Sequence, residues 1–108
     1  MSEHQKSQTR KALRTNALLK IDGAEPNLAR TLDIAEGGMS VGVGHQLMSG
    51  QRMEIAFDMF FNGQHHKIAV SAQVTHCTYN SRDGFRVALQ FLNISSSGAN
   101  AIAQFMKY

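Results

Sequence analysis

Two arginines and one aspartate are the residues whose types and spacing most clearly suggest chemistry. Arg10 and Arg14 lie four residues apart in a basic stretch without acids, and Asp33 begins the segment Asp-Ile-Ala-Glu-Gly-Gly that ends at Gly38. A guanidinium group pairs with a phosphate through two parallel hydrogen bonds, and two such groups on one segment can reach the same ligand. The pattern therefore predicts a site for a phosphate-bearing ligand.

Each pattern also has a simpler interpretation, and the residues alone leave both open. The basic stretch, which includes Lys6, can be a solvated tail, and Asp33 can cap a plain turn at Gly37-Gly38. The net charge of +3 over 108 residues favours anionic partners only weakly. The elements that would position these residues therefore have to be considered.

Apolar residues at every second position predict about six short strands. The turn pairs between the segments include Asn62-Gly63, which tolerates the positive φ angles of a type I′ hairpin. Closing the strands into an antiparallel barrel would remove exposed edges. The sets expected to share a face are Ala17, Leu19 and Ile21; Leu28, Arg30, Leu32 and Ile34; Met39, Val41 and Val43; Met53, Ile55, Phe57 and Met59; Ile68, Val70, Ala72 and Val74; and Phe85, Val87, Leu89 and Phe91.

The C-terminal segment has a different period. Three serines at 95–97 can each cap a helix, and Ala99, Ile102, Ala103 and Met106 follow at helical spacing. The sequence thus predicts an all-β domain with a C-terminal helix that lies on the barrel. We expect the domain at residues 10–108, the barrel at about 15–93, the helix at about 96–107 and a flexible N-terminal tail over 1–9.

On two motifs the sequence resembles the PilZ domain family. Arg10 and Arg14 match its RxxxR, and Asp33, Ala35 and Gly38 match its [D/N]x[S/A]xxG about 20 residues later. The strand order and the closing helix also fit this family. The resemblance implies a six-stranded split-type barrel that binds the second messenger cyclic di-GMP and has no catalytic activity.

The resemblance also implies roles for single residues. Arg10 and Arg14 would clamp phosphate and guanine, while Asp33 and the backbone near Ala35 would hold a guanine edge. Gly38 would shape the turn, through close backbone approach or an unusual φ. Lys11 would add attraction, and His76 would pack on the ligand.

Two departures concern how the ligand is held. Ala35 stands where the family usually has serine, so one hydroxyl hydrogen bond is lost. Thr9, just before the RxxxR motif, offers no further guanidinium, which favours one ligand molecule per site.

The expected function is a cytoplasmic receptor that changes its surface for an unknown downstream protein in motility, biofilm or exopolysaccharide control. One alternative is an adaptor of the same fold that binds no nucleotide, and another is a barrel for single-stranded nucleic acid. We expect no cofactor, no metal, no enzymatic activity, no DNA or RNA partner and no membrane insertion. The lone Cys77 excludes an internal disulfide.

Overall fold

A computed structural model describes residues 9–107, in which alternating apolar residues build strands that pair around one core. In chain order the elements are β1 (Lys11–Ala12), β2 (Asn16–Lys20), β3 (Asn27–Ala35), β4 (Gly38–Val43), β5 (Arg52–Phe61), β6 (Gln64–Asn80), β7 (Gly84–Asn93) and α1 (Ser96–Lys107). The predicted tail over residues 1–9 lies outside the described residues except for Thr9.

Six strands close into an antiparallel barrel in the order β3-β2-β5-β6-β7-β4, because β4 pairs back with β3. The very short β1 adds to β3 on the edge that β2 also uses. The closed barrel and the terminal helix confirm the predicted fold class. Residues 10–15, which we call the leader, therefore lie along β3.

The barrel core is built by the period-two residues of the long strands. The inward residues of β5 and β6 alternate with exposed neighbours as the sequence predicts. Full burial of one such side chain stabilises the fold by about 1.5–3 kcal/mol. The core members on these two strands are Met53, Ile55, Phe57, Met59, Phe61, Ile68, Val70, Ala72 and Val74.

The turn between β5 and β6 has the predicted geometry. Asn62 has φ 56° and Gly63 has φ 75°, and the flanking Phe61 and Gln64 are paired. Two positive φ angles in a two-residue loop are what a type I′ hairpin requires. The turn thereby sets the register of the longest strand pair.

Helix α1 begins after Ser95, whose hydroxyl accepts a hydrogen bond from the Gly98 N–H at 3.1 Å. Its buried face consists of Gly98, Ile102 and Phe105. The predicted stripe was wrong in part, since Ala99 is exposed and Phe105 is buried. The reason is that Ile102 and Phe105, at i and i+3, carry the larger apolar area.

Strand β3 departs from the predicted alternation. A bulge shifts its register with β4, so that Thr31 pairs with Val41 but Asp33 pairs with Ser40. Leu32 is the extra residue. The expectation that residues 28, 30, 32 and 34 share one face was therefore wrong: Leu28 is 76% exposed, whereas Leu32 is 4% exposed.

Within residues 9–107, no helix combines the length and the apolar character that crossing a lipid bilayer requires.

Candidate functional site

The bulge in β3 decides where the candidate carboxylate points. Without the extra residue, Asp33 would follow Thr31 on the inner face of the barrel. With it, Ile34 is fully buried and the Asp33 side chain lies outward, 18% exposed. The alternation that the sequence predicts through residue 34 is thus interrupted next to Asp33.

A second bulge acts in the same way on β6. Val74 pairs with Leu89, but His76 pairs with Ala88, so the period resets between them. Val74 is buried and His76 is exposed. Ala88 also pairs with Ser40 on β4. A single cross-strand row of outward residues results, running Asp33, Ser40, Ala88 and His76 over about 14 Å.

The leader places Arg10 directly over this row. Its Nε donates to Asp33 Oδ1 at 3.2 Å, and its Nη2 lies 3.0 Å from the same oxygen. Nη2 also donates to the Ser40 hydroxyl at 3.1 Å. Arg10 thereby covers Ser40, which is only 4% exposed although it points outward. The structure brings two of the predicted site residues, Arg10 and Asp33, into contact.

A second guanidinium, which the sequence analysis did not select, reaches the same carboxylate. Arg86 Nη2 donates to Asp33 Oδ2 at 2.8 Å, and the Arg86 side chain is 40% exposed. Its neighbours Phe85 and Val87 point inward, so alternation alone would have marked residue 86 as outward. Its proximity to Asp33, 53 residues away in sequence, follows only from the strand order.

The outward row, with Arg10 and Arg86, forms what we call the arginine face, on the outer wall of β3, β4, β7 and β6. Asp33 lies at the β3 end of the row, with one carboxylate oxygen bound to each guanidinium. His76 lies three strands from Asp33 at the other end of the row and is exposed.

The other predicted residues have different surroundings. Arg14 is exposed, and within residues 9–107 it makes no hydrogen bond or ion pair. Lys11 points away from Arg10: its Nζ donates to the Phe105 carbonyl at 2.8 Å and lies 4.4 Å from the centre of that ring. The structure therefore does not bring Lys11 to the arginine face, and it places it at the C-terminal end of α1.

The tight turn between β3 and β4 holds Ala35 and Gly38 opposite each other. Ala35 is fully buried, so its methyl group does not line the outer surface. Gly38 does not have a positive φ, and a Cβ there would collide with the backbone oxygen of Leu89. Glycine is needed here for close strand approach, whereas the unusual φ considered from the sequence is absent.

Metal ligation has no support in the part of the chain that the structure describes. No group of three or more histidine, cysteine, aspartate or glutamate side chains lies together within residues 9–107. Cys77 is half-buried against the core, on the opposite side of its strand from His76.

The fold and the site define a small closed antiparallel barrel with a terminal helix and an arginine–aspartate cluster on its outer wall. The family model of the PilZ domain matches residues 5–108, and the chain therefore belongs to the PilZ domain family. A comparison with curated proteins gives no match.

Several solved structures share the fold at low sequence identity. The Bacillus subtilis inhibitor of motility MotI/DgrA has a TM-score of 0.82 and 15% identity, over 97% of this chain and 50% of that chain. Escherichia coli YcgR in complex with c-di-GMP has a TM-score of 0.77 and 19% identity, over 95% of this chain and 45% of that chain. The PilZ domain of Escherichia coli YcgR with c-di-GMP has a TM-score of 0.70 and 18% identity, over 94% of this chain and 88% of that chain. The chain thus spans about half the length of MotI/DgrA and of YcgR.

Proposed function

We propose that this chain binds cyclic di-GMP on its arginine face and acts as a receptor for that second messenger. The observation that carries the proposal is the contact of Arg10 with Asp33 on the outer wall of a PilZ barrel, which joins the two sequence motifs in one place. E. coli YcgR, which shares the fold, is found in complex with c-di-GMP.

Different residues of the site bind the different chemical groups of the ligand. Cyclic di-GMP has two phosphates and two guanines. Arg10 and Arg14 are both exposed, and they pair with phosphate oxygens or stack on a base. Asp33 accepts from the guanine N1–H and N2–H₂ groups, a donor pair that adenine lacks. The Asp33 carboxylate thus selects guanine.

The response to the ligand follows from the position of the leader. Arg10 contacts the site, and its neighbour Lys11 contacts the last turn of α1. Because Lys11 follows Arg10 directly, a movement of Arg10 toward a ligand also shifts Lys11 and its contact with the end of α1. We propose that the altered surface of the leader and α1 is what a downstream protein reads.

The test is a calorimetric titration with cyclic di-GMP. Arg10→Ala, Arg14→Ala and Asp33→Asn should each lower the affinity about 10- to 100-fold, since each removes charge-assisted hydrogen bonds. Arg52→Ala is the matched control, because Arg52 is an exposed arginine on β5, away from the arginine face. Thermal unfolding of each variant should remain within a few degrees of the wild type.

Three results would contradict the proposal. A folded wild-type protein that gives no heat with cyclic di-GMP would favour the adaptor alternative. Equal loss of affinity in Arg52→Ala and Arg10→Ala would show that only the general positive charge matters. A preference for an oligonucleotide in a competition titration would favour the nucleic-acid alternative.

A further inference from the structure

Both oxygens of the Asp33 carboxylate accept hydrogen bonds from arginine side chains. Oδ1 accepts from Arg10 and Oδ2 accepts from Arg86. A guanine edge presents two parallel donors, N1–H and N2–H₂, and needs both carboxylate oxygens at once. Each oxygen has two acceptor sites, and both sites of Oδ1 are taken by Nε and Nη2 of Arg10. A guanine bound in this way therefore displaces Arg10 and competes with Arg86 at Oδ2.

The displaced groups match the ligand in number and in charge. Arg10 and Arg86 carry one positive charge each, and cyclic di-GMP carries one negative charge on each of its two phosphates. The side chains of Arg10 and Arg86 are 42% and 40% exposed, so solvent screens part of the cost of leaving either guanidinium without a counter-charge. Transfer from carboxylate to phosphate removes the remaining cost, because each arginine keeps an anionic partner throughout.

The outward residues between Arg10 and Arg86 are small. Ser40 pairs with Ala88 across β4 and β7, and Arg10 lies over Ser40. Gly42 pairs with Arg86, but Asp83 lies against it, since a Cβ on Gly42 would meet the Asp83 backbone oxygen at 3.1 Å. Once Arg10 turns from Asp33 to a phosphate, a dinucleotide within reach of both arginines therefore lies over Ser40 and Ala88.

We infer that Arg86 is a third ligand-binding arginine. Asp33 binds Arg10 and Arg86 when no ligand is bound, and the two phosphates bind these arginines when cyclic di-GMP is bound. This inference rests on the proposed function, since it concerns the same site. It assigns Asp33 two tasks: it recognises guanine, and it withholds the arginines from phosphate ligands that lack guanine.

The first experiment compares single variants by calorimetric titration with cyclic di-GMP. Arg86→Ala should weaken binding about 10-fold, because a charge-assisted phosphate contact is lost. Arg30→Ala is the matched control: Arg30 is an exposed arginine that pairs with the other side of Gly42 but has no bond to Asp33. Equal effects of the two variants would overturn the inference in favour of general charge.

The second experiment separates a direct contact from a positioning role. If Arg86 only holds Asp33 in place, Arg86→Ala has no further effect in an Asp33→Ala background. If Arg86 contacts phosphate, the 10-fold loss persists in that background. Where calorimetry is too insensitive for the double variant, an NMR titration with millimolar cyclic di-GMP gives the same comparison. Disappearance of the Arg86 effect would overturn the inference and leave the proposed function intact.

The third experiment tests the withholding role of Asp33 with cyclic di-AMP, which has the same phosphates but no guanine. Asp33→Ala should bind cyclic di-AMP several-fold more tightly than the wild type does, while its affinity for cyclic di-GMP falls. Weaker or unchanged binding of cyclic di-AMP would refute the withholding role. Failure of the wild type to bind cyclic di-GMP at all would instead reject the proposed function, and the inference with it.

Discussion

Strand β3 consists of two halves that pair differently and carry different surfaces. The regular half, residues 27–30, pairs with β2, and its outward Leu28 continues an apolar row through Leu18, Ala56 and Ala69. The bulged half, residues 31–35, pairs with β4 and β1 and carries Asp33. The regular half carries Leu28 and Arg30 on its outer surface. The extra residue, Leu32, shifts the alternation so that Asp33 lies on the outer surface of the bulged half.

The two halves are also held by different forces. In the regular half, Ala29 is buried in the core and the backbone ladder with β2 is uninterrupted. In the bulged half, the ladder is interrupted, and side-chain hydrogen bonds tie the leader to the strand. Thr31, fully buried, donates to the Leu13 carbonyl and accepts from the Thr15 N–H at 2.9 Å. A bulge therefore makes the site dependent on a few polar contacts.

The largest expected effect comes from the strand that faces the bulged half. Gly38→Ala should lower the free energy of unfolding by about 3 kcal/mol, because the new Cβ collides with the Leu89 backbone oxygen and the strands must separate. Gly44→Ala is the matched control, since a Cβ there meets no atom within 4 Å and its φ is not positive. Urea unfolding measures both. Similar stability of the two variants would show that β4 does not approach β7 as closely as described.

The bulge itself is tested by two leucines in the same strand. Leu32→Ala should cost about 2 kcal/mol because Leu32 is buried, whereas Leu28→Ala should cost less than about 0.5 kcal/mol because Leu28 is largely exposed. Uninterrupted alternation would place both leucines on one face and give similar losses. Urea unfolding of the two variants distinguishes these cases, and equal losses would rule out the bulge.

A smaller effect is expected where the leader joins the bulged half. Thr31→Val should cost about 1.5 kcal/mol, since it leaves the Leu13 carbonyl and the Thr15 N–H with one partner fewer. It should also weaken binding of cyclic di-GMP a few-fold, because Thr31 holds the leader in place and the leader carries Arg10 and Arg14. Thr75→Val is the control, because the Thr75 hydroxyl donates to the Ala88 carbonyl at 3.3 Å but the residue is exposed to solvent. Unfolding and titration experiments that show no difference between the two variants would contradict this account.

Much of this architecture could be predicted from the sequence because it depends on local patterns. The inward residues of β5 and β6 follow from strict alternation, and the turn at Asn62-Gly63 follows from the φ angles these residues tolerate. The residue types for an anion site, Arg10 and Asp33, were also visible, and so was the resemblance to the PilZ family. The alternation, the turn and each motif lie within a few neighbouring residues, and the resemblance adds the order of the two motifs along the chain.

The tertiary structure alone decided which of these residues meet. The bulge in β3 is a property of its pairing with β4, so no local period could show that Asp33 points outward. Arg86 reaches Asp33 across 53 positions because β4 lies between β3 and β7 in the barrel. Lys11, next to Arg10 in sequence, contacts α1 because neighbouring residues of a strand point to opposite faces. Sequence specifies side-chain chemistry and local period, whereas strand order and register determine which side chains come within hydrogen-bonding distance.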